Sequence, residues 1–480
     1  MSREYLKSAV MFGFFLVVIG VAMAKLHGSS LADPPLPVTQ PLVVSYSDGP
    51  LGISAHLVQD KIFSGGDGTA SLAFTMSADA AAFVSGDDGV SQHVDMVVVL
   101  DQSGSMSGQK IEYARQAILD LLSSLSSQDR FALIGYADRV WRYADLNYVT
   151  DANRRGLQNL VRQLTPGGNT NLGGGLQEGL NTLLAAGKIG NVEKVILISD
   201  GLANRGIVDP ESLGNMASVA VEKEFAVSTV GVGEDFNEQL MTAIADRGVG
   251  NYYYLANPQS FAAIFQQEFH HAKSVTARAI EISLPLPDGV SLLYASGYPV
   301  SVSGNRAVVH PGDLLAGQTR KLFLTLQFPT SSETTYQLQG LAVRYLHQGQ
   351  PYTATFPTSF QIACVKDPDE AVASIVHEEW EQKVLQEDFN ALRERVALEM
   401  KQGKKQEALQ QIDSYYQQQN MLNAEIGSAK VSVHLDEEVN ELRDMVEQTF
   451  TGSAPQVEMQ QKTNAKFLQY EGYKERRAQK

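Results

Sequence analysis

VDMVVVLDQSGSMSG, residues 94–108, decides how this chain is read. Its first seven residues are apolar apart from Asp95, and such a run bounded by turn residues reads as a strand covered on both faces, as in a parallel α/β sheet. Open sheets of this kind hold ligands beyond the carboxyl ends of their strands. Asp101 to Gly108 sits at such an end, where Gly and Ser let the chain turn while hydroxyls point at one spot. Apolar residues then follow at Ile111, Ala114, Ile118, Leu121, Leu122 and Leu125, the spacing of a helix with one buried face. Asp101, Ser103 and Ser105 are thus placed on a strand-to-helix loop. One carboxylate and two hydroxyls are hard oxygen ligands, suited to Mg²⁺ or Mn²⁺ rather than Zn²⁺.

Two more segments point to the same place. TPGGNTNLGGGL, residues 165–176, puts Thr170 in a Gly-rich loop before a helix, and KVILISDG, residues 194–201, puts Asp200 at the end of a second apolar strand. Three loops from one sheet can therefore converge on one cation. With these motifs the sequence resembles a von Willebrand factor type A domain with a complete metal-ion-dependent adhesion site. Asp101, Ser103 and Ser105 match its first loop, Thr170 its second and Asp200 its third. The resemblance spans residues 91–272 and implies a doubly wound, Rossmann-like parallel sheet. It also implies a Mg²⁺ or Mn²⁺ held directly by the Ser hydroxyls, with the carboxylates often acting through water. The open position is then filled by an Asp or Glu of a protein partner.

Alternating strands and helices across 91–272 fit that fold: FALIGYA at 131–137, VILIS at 195–199, AVSTVGVG at 226–233, with helical spacing between them. Outside it the periodicity changes. Residues 41–90 form a β segment, with TASLAFTM alternating at Ala70, Leu72, Phe74 and Met76, and residues 274–365 read as a β-sandwich. Because β segments flank the α/β unit, one sandwich built from both is expected, with two separate modules as the alternative. Residues 367–450 are helical, striped at Leu385, Phe389, Leu392, Val396 and Met400, and 451–480 read as a polar, mobile tail. The fold class is thus a multidomain α/β plus β chain with a helical carboxyl-terminal region.

Composition bounds the function. With 480 residues and a net charge of −16, the chain is multidomain and acidic, which argues against nucleic acid as a main partner. Cys364 is the only cysteine, so an internal disulfide is excluded, and it reads as a small buried hydrophobe. Residues 1–24 carry Arg3 and Lys7 before an uncharged stretch ending at Ala24, which reads as a secretory signal or a retained membrane anchor. Residues 25–40 form a Pro-rich linker. Export to the periplasm or cell surface is expected, with membrane contact only through that segment.

Several tempting features are set aside. The glycines from Gly167 to Gly175 lack the Lys-Ser or Lys-Thr of a phosphate loop, and HEEWE at 377–381 lacks the second His of a metalloprotease helix. That helix reads as a solvated face. The resulting expectation is a non-enzymatic, cation-dependent protein-binding or adhesion protein. A Mg²⁺-dependent hydrolase is the first alternative, weakened because no His accompanies the three loops to serve as a base. A structural envelope scaffold with a stabilising metal is the second. Oligomeric state and the identity of the partner are not legible.

Overall fold

The protein is described by a computed structural model covering residues 44–80, 93–233, 236–255, 260–357 and 359–476. The expected signal or anchor (1–24) and linker (25–40) lie outside the described residues. Among the described residues no helix is long and apolar enough to cross a membrane.

The central sheet runs Val249–Leu255, Ala226–Val232, Val192–Ser199, Val94–Asp101, Arg130–Tyr136, Val140–Tyr148. The first five are parallel, and the last is an antiparallel edge. Every residue of Val94–Asp101 is buried because helices cover both faces. Met96, Val98 and Leu100 meet Ile118 and Leu121 of helix Gln109–Ser124 and Phe265 and Phe269 of helix Phe261–Lys273. Val97 and Val99 point the other way, to Leu176 and Leu180 of helix Leu172–Ala186 and Ile244 of helix Glu238–Arg247. Period-two alternation along one strand thus feeds two apolar layers.

Helix 261–273 is fastened by a buried polar clamp. Glu268 accepts from Lys194 Nζ at 2.9 Å, Ser228 Oγ at 2.8 Å, Asn251 Nδ2 at 2.8 Å and Tyr253 OH at 2.5 Å. Those donors come from three neighbouring strands, so the last helix of the domain is held in register across the sheet.

Both β segments enter one sandwich. Strand Thr69–Ala78 pairs along its length with Thr319–Gln327, with Leu72 opposite Leu324 and Phe74 opposite Leu322. Its sheet runs Val44–Asp48, Leu51–Leu57, Thr69–Ala78, Thr319–Gln327, Ser291–Ala295. The facing sheet is built on Val275–Pro285 and Ala342–His347, and Cys364 lies buried in the shared core. The α/β unit therefore occupies the chain between two strands of one sandwich.

Residues 368–476 are helical and cover the outer face of the first sheet, where Ala73 and Phe323 join Trp380, Phe389 and Leu392. Gly403 and Gly427, both with left-handed φ, end the helices Phe389–Lys401 and Lys405–Ile426. Two expectations need correction. Residues 454–476 are not a mobile tail but a 23-residue helix. Its apolar contacts, Ala465, Leu468 and Tyr473, are few among polar residues, so the stripe is faint in sequence while the packing is tertiary. Tyr473 OH accepts from Tyr252 N at 2.8 Å, capping the sheet's edge strand, and Lys466 Nζ donates to Phe236 O at 2.7 Å. The 377–381 segment is solvated only on one side. Glu379 is buried, paired with His56 at 3.2 Å and Lys321 at 2.6 Å, because this short helix lies on the sandwich rather than in solvent.

Candidate metal centre

All five expected ligand residues gather at the carboxyl edge of the central sheet. Asp101 ends its strand fully buried; Oδ1 accepts from Ser103 N and Oδ2 from Ser199 Oγ, each at 2.8 Å. Ser103 Oγ lies 3.0 Å from Ser105 Oγ, which donates to Asp200 Oδ1 at 2.8 Å. Asp101, Ser103, Ser105 and Asp200 thus form one hydrogen-bonded chain.

Thr170 joins them by placement. A Cβ built on Gly201 would lie 3.4 Å from Ser105 Oγ and 3.7 Å from Thr170 Oγ1, so both hydroxyls face the same small space. Backbone bonds hold the loops together: Gly104 N donates to Gly168 O at 3.0 Å and Gly167 N to Gln102 O at 2.6 Å. Thr170 N donates to Asn204 Oδ1 at 2.9 Å, and Asn204 N returns to Thr170 O at 3.2 Å. Asn171 caps helix 172–186 by accepting from Gly174 N at 3.1 Å, which fixes Thr170 one residue earlier. Gly175 lets that helix approach the sheet, since a Cβ there would stand 2.5 Å from the Tyr136 ring.

Sequence reasoning missed Lys110, whose Nζ lies 2.5 Å from Asp200 Oδ2. It missed Ser199 and Asn204 as well. Lys110 sits at the second position of the helix after the first loop, and Ser199 directly precedes Asp200, so adjacency to the motifs was the signal.

The electrostatics favour a cation. Burial pushes the Asp101 carboxyl up to about 6, the charge of Asp200 adds to the rise, and bonds from Ser103 and Ser199 oppose it. Asp101 is hydrogen-bonded only by neutral groups in the contacts above, while Lys110 neutralises the far oxygen of Asp200. The set has two carboxylates and three hydroxyls and no ring nitrogen or thiolate. Among the described residues no group of three or more His, Cys, Asp or Glu could hold a metal, so a site here depends on hydroxyls. Such donors fit Mg²⁺ or Mn²⁺, which prefer oxygen and keep waters.

A doubly wound α/β domain with hydroxyls and carboxylates converging from three strand ends is the architecture of the von Willebrand factor type A class. Residues 95–267 match the model of the von Willebrand factor type A domain, and the chain carries that domain. Domains of this family usually bind a divalent cation and generally mediate protein–protein interaction.

The uncharacterized protein sll0103 of Synechocystis sp. is 26% identical over 262 residues, covering 52% of this chain and 61% of that protein. Inter-alpha-trypsin inhibitor heavy chain H3 of Mesocricetus auratus is 27% identical over 224 residues, 45% of this chain and 25% of that one. The chain thus spans less than two thirds of these relatives. A von Willebrand factor type A structure from Catenulispora acidiphila superposes with a TM-score of 0.62 over 89% of this chain and 98% of that one. At 14% identity this is a likeness of fold, and it extends beyond the α/β unit.

Proposed function

We propose that this is a non-enzymatic binding protein whose α/β domain holds one Mg²⁺ or Mn²⁺ and captures an acidic group of a protein partner. Asp101, Ser103, Ser105, Thr170 and Asp200 would hold the ion, which supplies a Lewis-acidic position for an incoming carboxylate. The observation that carries this is the convergence of Ser103, Ser105 and Thr170 hydroxyls between two buried carboxylates. With few direct anions, such a centre stays electrophilic towards an Asp or Glu. Lys110 strengthens that surplus: two carboxylates against one ammonium leave one negative charge, which a divalent ion turns into one positive charge.

Hydrolysis is disfavoured because Ser103 and Ser105 are committed to the ion and no His appears among the contacts described at the centre. Export across a membrane, directed by residues 1–24, belongs to the same proposal. The test is affinity capture from envelope extract in Mg²⁺ and in EDTA, with Asp101→Ala as control. Partners lost in both the chelated and variant lanes are the expected result, and binding that survives both would overturn the proposal.

A further inference from the structure

The loop that leaves Asp200 carries an uncommon surface. Leu202, Ile207 and Val208 are 58%, 45% and 44% exposed. Three of the twelve exposed large hydrophobic side chains among the described residues therefore fall within seven positions, beside the metal centre. Solvent-facing aliphatics grouped in this way mark contact surfaces more often than scattered ones do.

The loop is also pinned. Asn204 exchanges two hydrogen bonds with Thr170, and Ala203 packs into the core beneath. Gly206 is left-handed, and a Cβ there would stand 2.5 Å from Asn171 Oδ1. Ile207 O lies 3.0 Å from the position of a Cβ on Gly173. Asp209 caps the following helix, Pro210–Ala217, by accepting from Ser212 N at 2.8 Å. Both ends of the segment are thus anchored, and the exposed side chains are presented at little ordering cost on binding.

Charge at this rim is already satisfied. Arg205 donates to Asp138 Oδ1 at 2.9 Å, and Asn169 donates to the same oxygen at 2.7 Å. An acidic group arriving here finds its counter-charge at the metal centre rather than at Arg205. A second copy of the chain is a poor occupant, because net charge −16 on each copy opposes self-association.

We propose that Leu202, Ile207 and Val208 form an aliphatic ridge that reads a bulky apolar side chain next to the acidic residue of the partner. The occupant is a segment of another protein in which Asp or Glu is followed by Leu or a side chain of similar size. This rests on the proposed function and narrows it, since the ion supplies affinity for the acid and the ridge supplies selectivity.

The test uses the full chain in saturating Mg²⁺ with two synthetic peptides, Gly-Gly-Ser-Asp-Leu-Leu-Ser-Gly-Gly and its analogue with both Leu replaced by Ser. Binding is followed by NMR titration, beside the triple variant Leu202→Ser/Ile207→Ser/Val208→Ser, whose changes are all at exposed sites. The parent protein is expected to favour the Leu peptide about tenfold, a modest burial of apolar area. The preference should vanish in the triple variant, and EDTA should abolish binding of both peptides. Equal affinities that are still lost in EDTA overturn the ridge and leave the metal centre standing. Binding unaffected by EDTA or by Asp101→Ala overturns the proposed function, and no binding of either peptide counts against both. A change in sedimentation of the triple variant would make the ridge a self-contact and overturn the assignment.

Discussion

Replacing Lys194 should loosen the helix that closes the metal-bearing domain. Glu268 on helix 261–273 is fully buried, and Lys194 is 5% exposed, 2.9 Å away. Burial alone raises the Glu268 carboxyl, but Lys194 and the bonds from Asn251 and Tyr253 outweigh it and hold it at about 2, below its ordinary 4.5. That fall corresponds to about 3 kcal/mol in favour of the charged form. Lys194→Met deletes the cation and leaves the carboxylate in place, and breaking a buried pair from one side costs about 3–5 kcal/mol.

Because the folded value lies below the unfolded one, the Glu268 contribution is full above pH 4.5 and lost as pH falls through about 2, so the comparison belongs at pH 7. Amide hydrogen exchange by mass spectrometry reads it. Protection of helix 261–273 should drop by about two to three orders of magnitude. Lys194→Met/Glu268→Leu should recover most of it, since an apolar replacement removes the stranded charge. A drop of less than about tenfold in the single variant would refute the clamp.

Other outcomes follow from the same geometry. Burial pushes Glu387 up to about 8, and its Oε1 has no hydrogen-bond partner, so wild-type stability should decline as pH rises from 4.5 through 8. Glu387→Gln should flatten that decline in thermal melts, and an unchanged profile would remove the assignment. Gly175→Ala drives a methyl into the Tyr136 ring and should cost about 1–3 kcal/mol in urea unfolding while weakening Mn²⁺ binding, because helix 172–186 carries the Thr170 loop. Unaltered Mn²⁺ affinity would separate that helix from the centre. Tyr473→Phe removes an acceptor from Tyr252 N and should raise exchange of the Tyr252 amide by roughly tenfold, about 1 kcal/mol. Protection identical to wild type would show that the carboxyl-terminal helix does not secure the sheet edge.

The buried strands and three ligand loops were legible because parallel strands covered on both faces read as continuous apolar runs. Polar loop residues at their ends stand out against such runs. Strand Val140–Tyr148 was not legible, since as an edge it leaves Trp141, Arg142 and Tyr148 exposed and shows no apolar stripe. Helix 454–476 was hidden for a related reason: its stability comes from Lys466 and Tyr473 meeting residues over 200 positions away. Lys110 and Ser199 gain meaning only when Asp200 and Asp101 are brought to them across 90 and 98 residues. Those distances are crossed by the sheet order, which local periodicity does not encode.

The claim that this edge of the sheet is a metal centre is tested most directly by Mn²⁺ titration followed by electron paramagnetic resonance. The account predicts one bound Mn²⁺ per chain, displaced by Mg²⁺ and lost in Asp101→Ala, in Ser103→Ala and in Asp200→Ala. Stoichiometric Mn²⁺ binding that survives all three substitutions, or no Mn²⁺ binding by the folded wild-type chain, would contradict it.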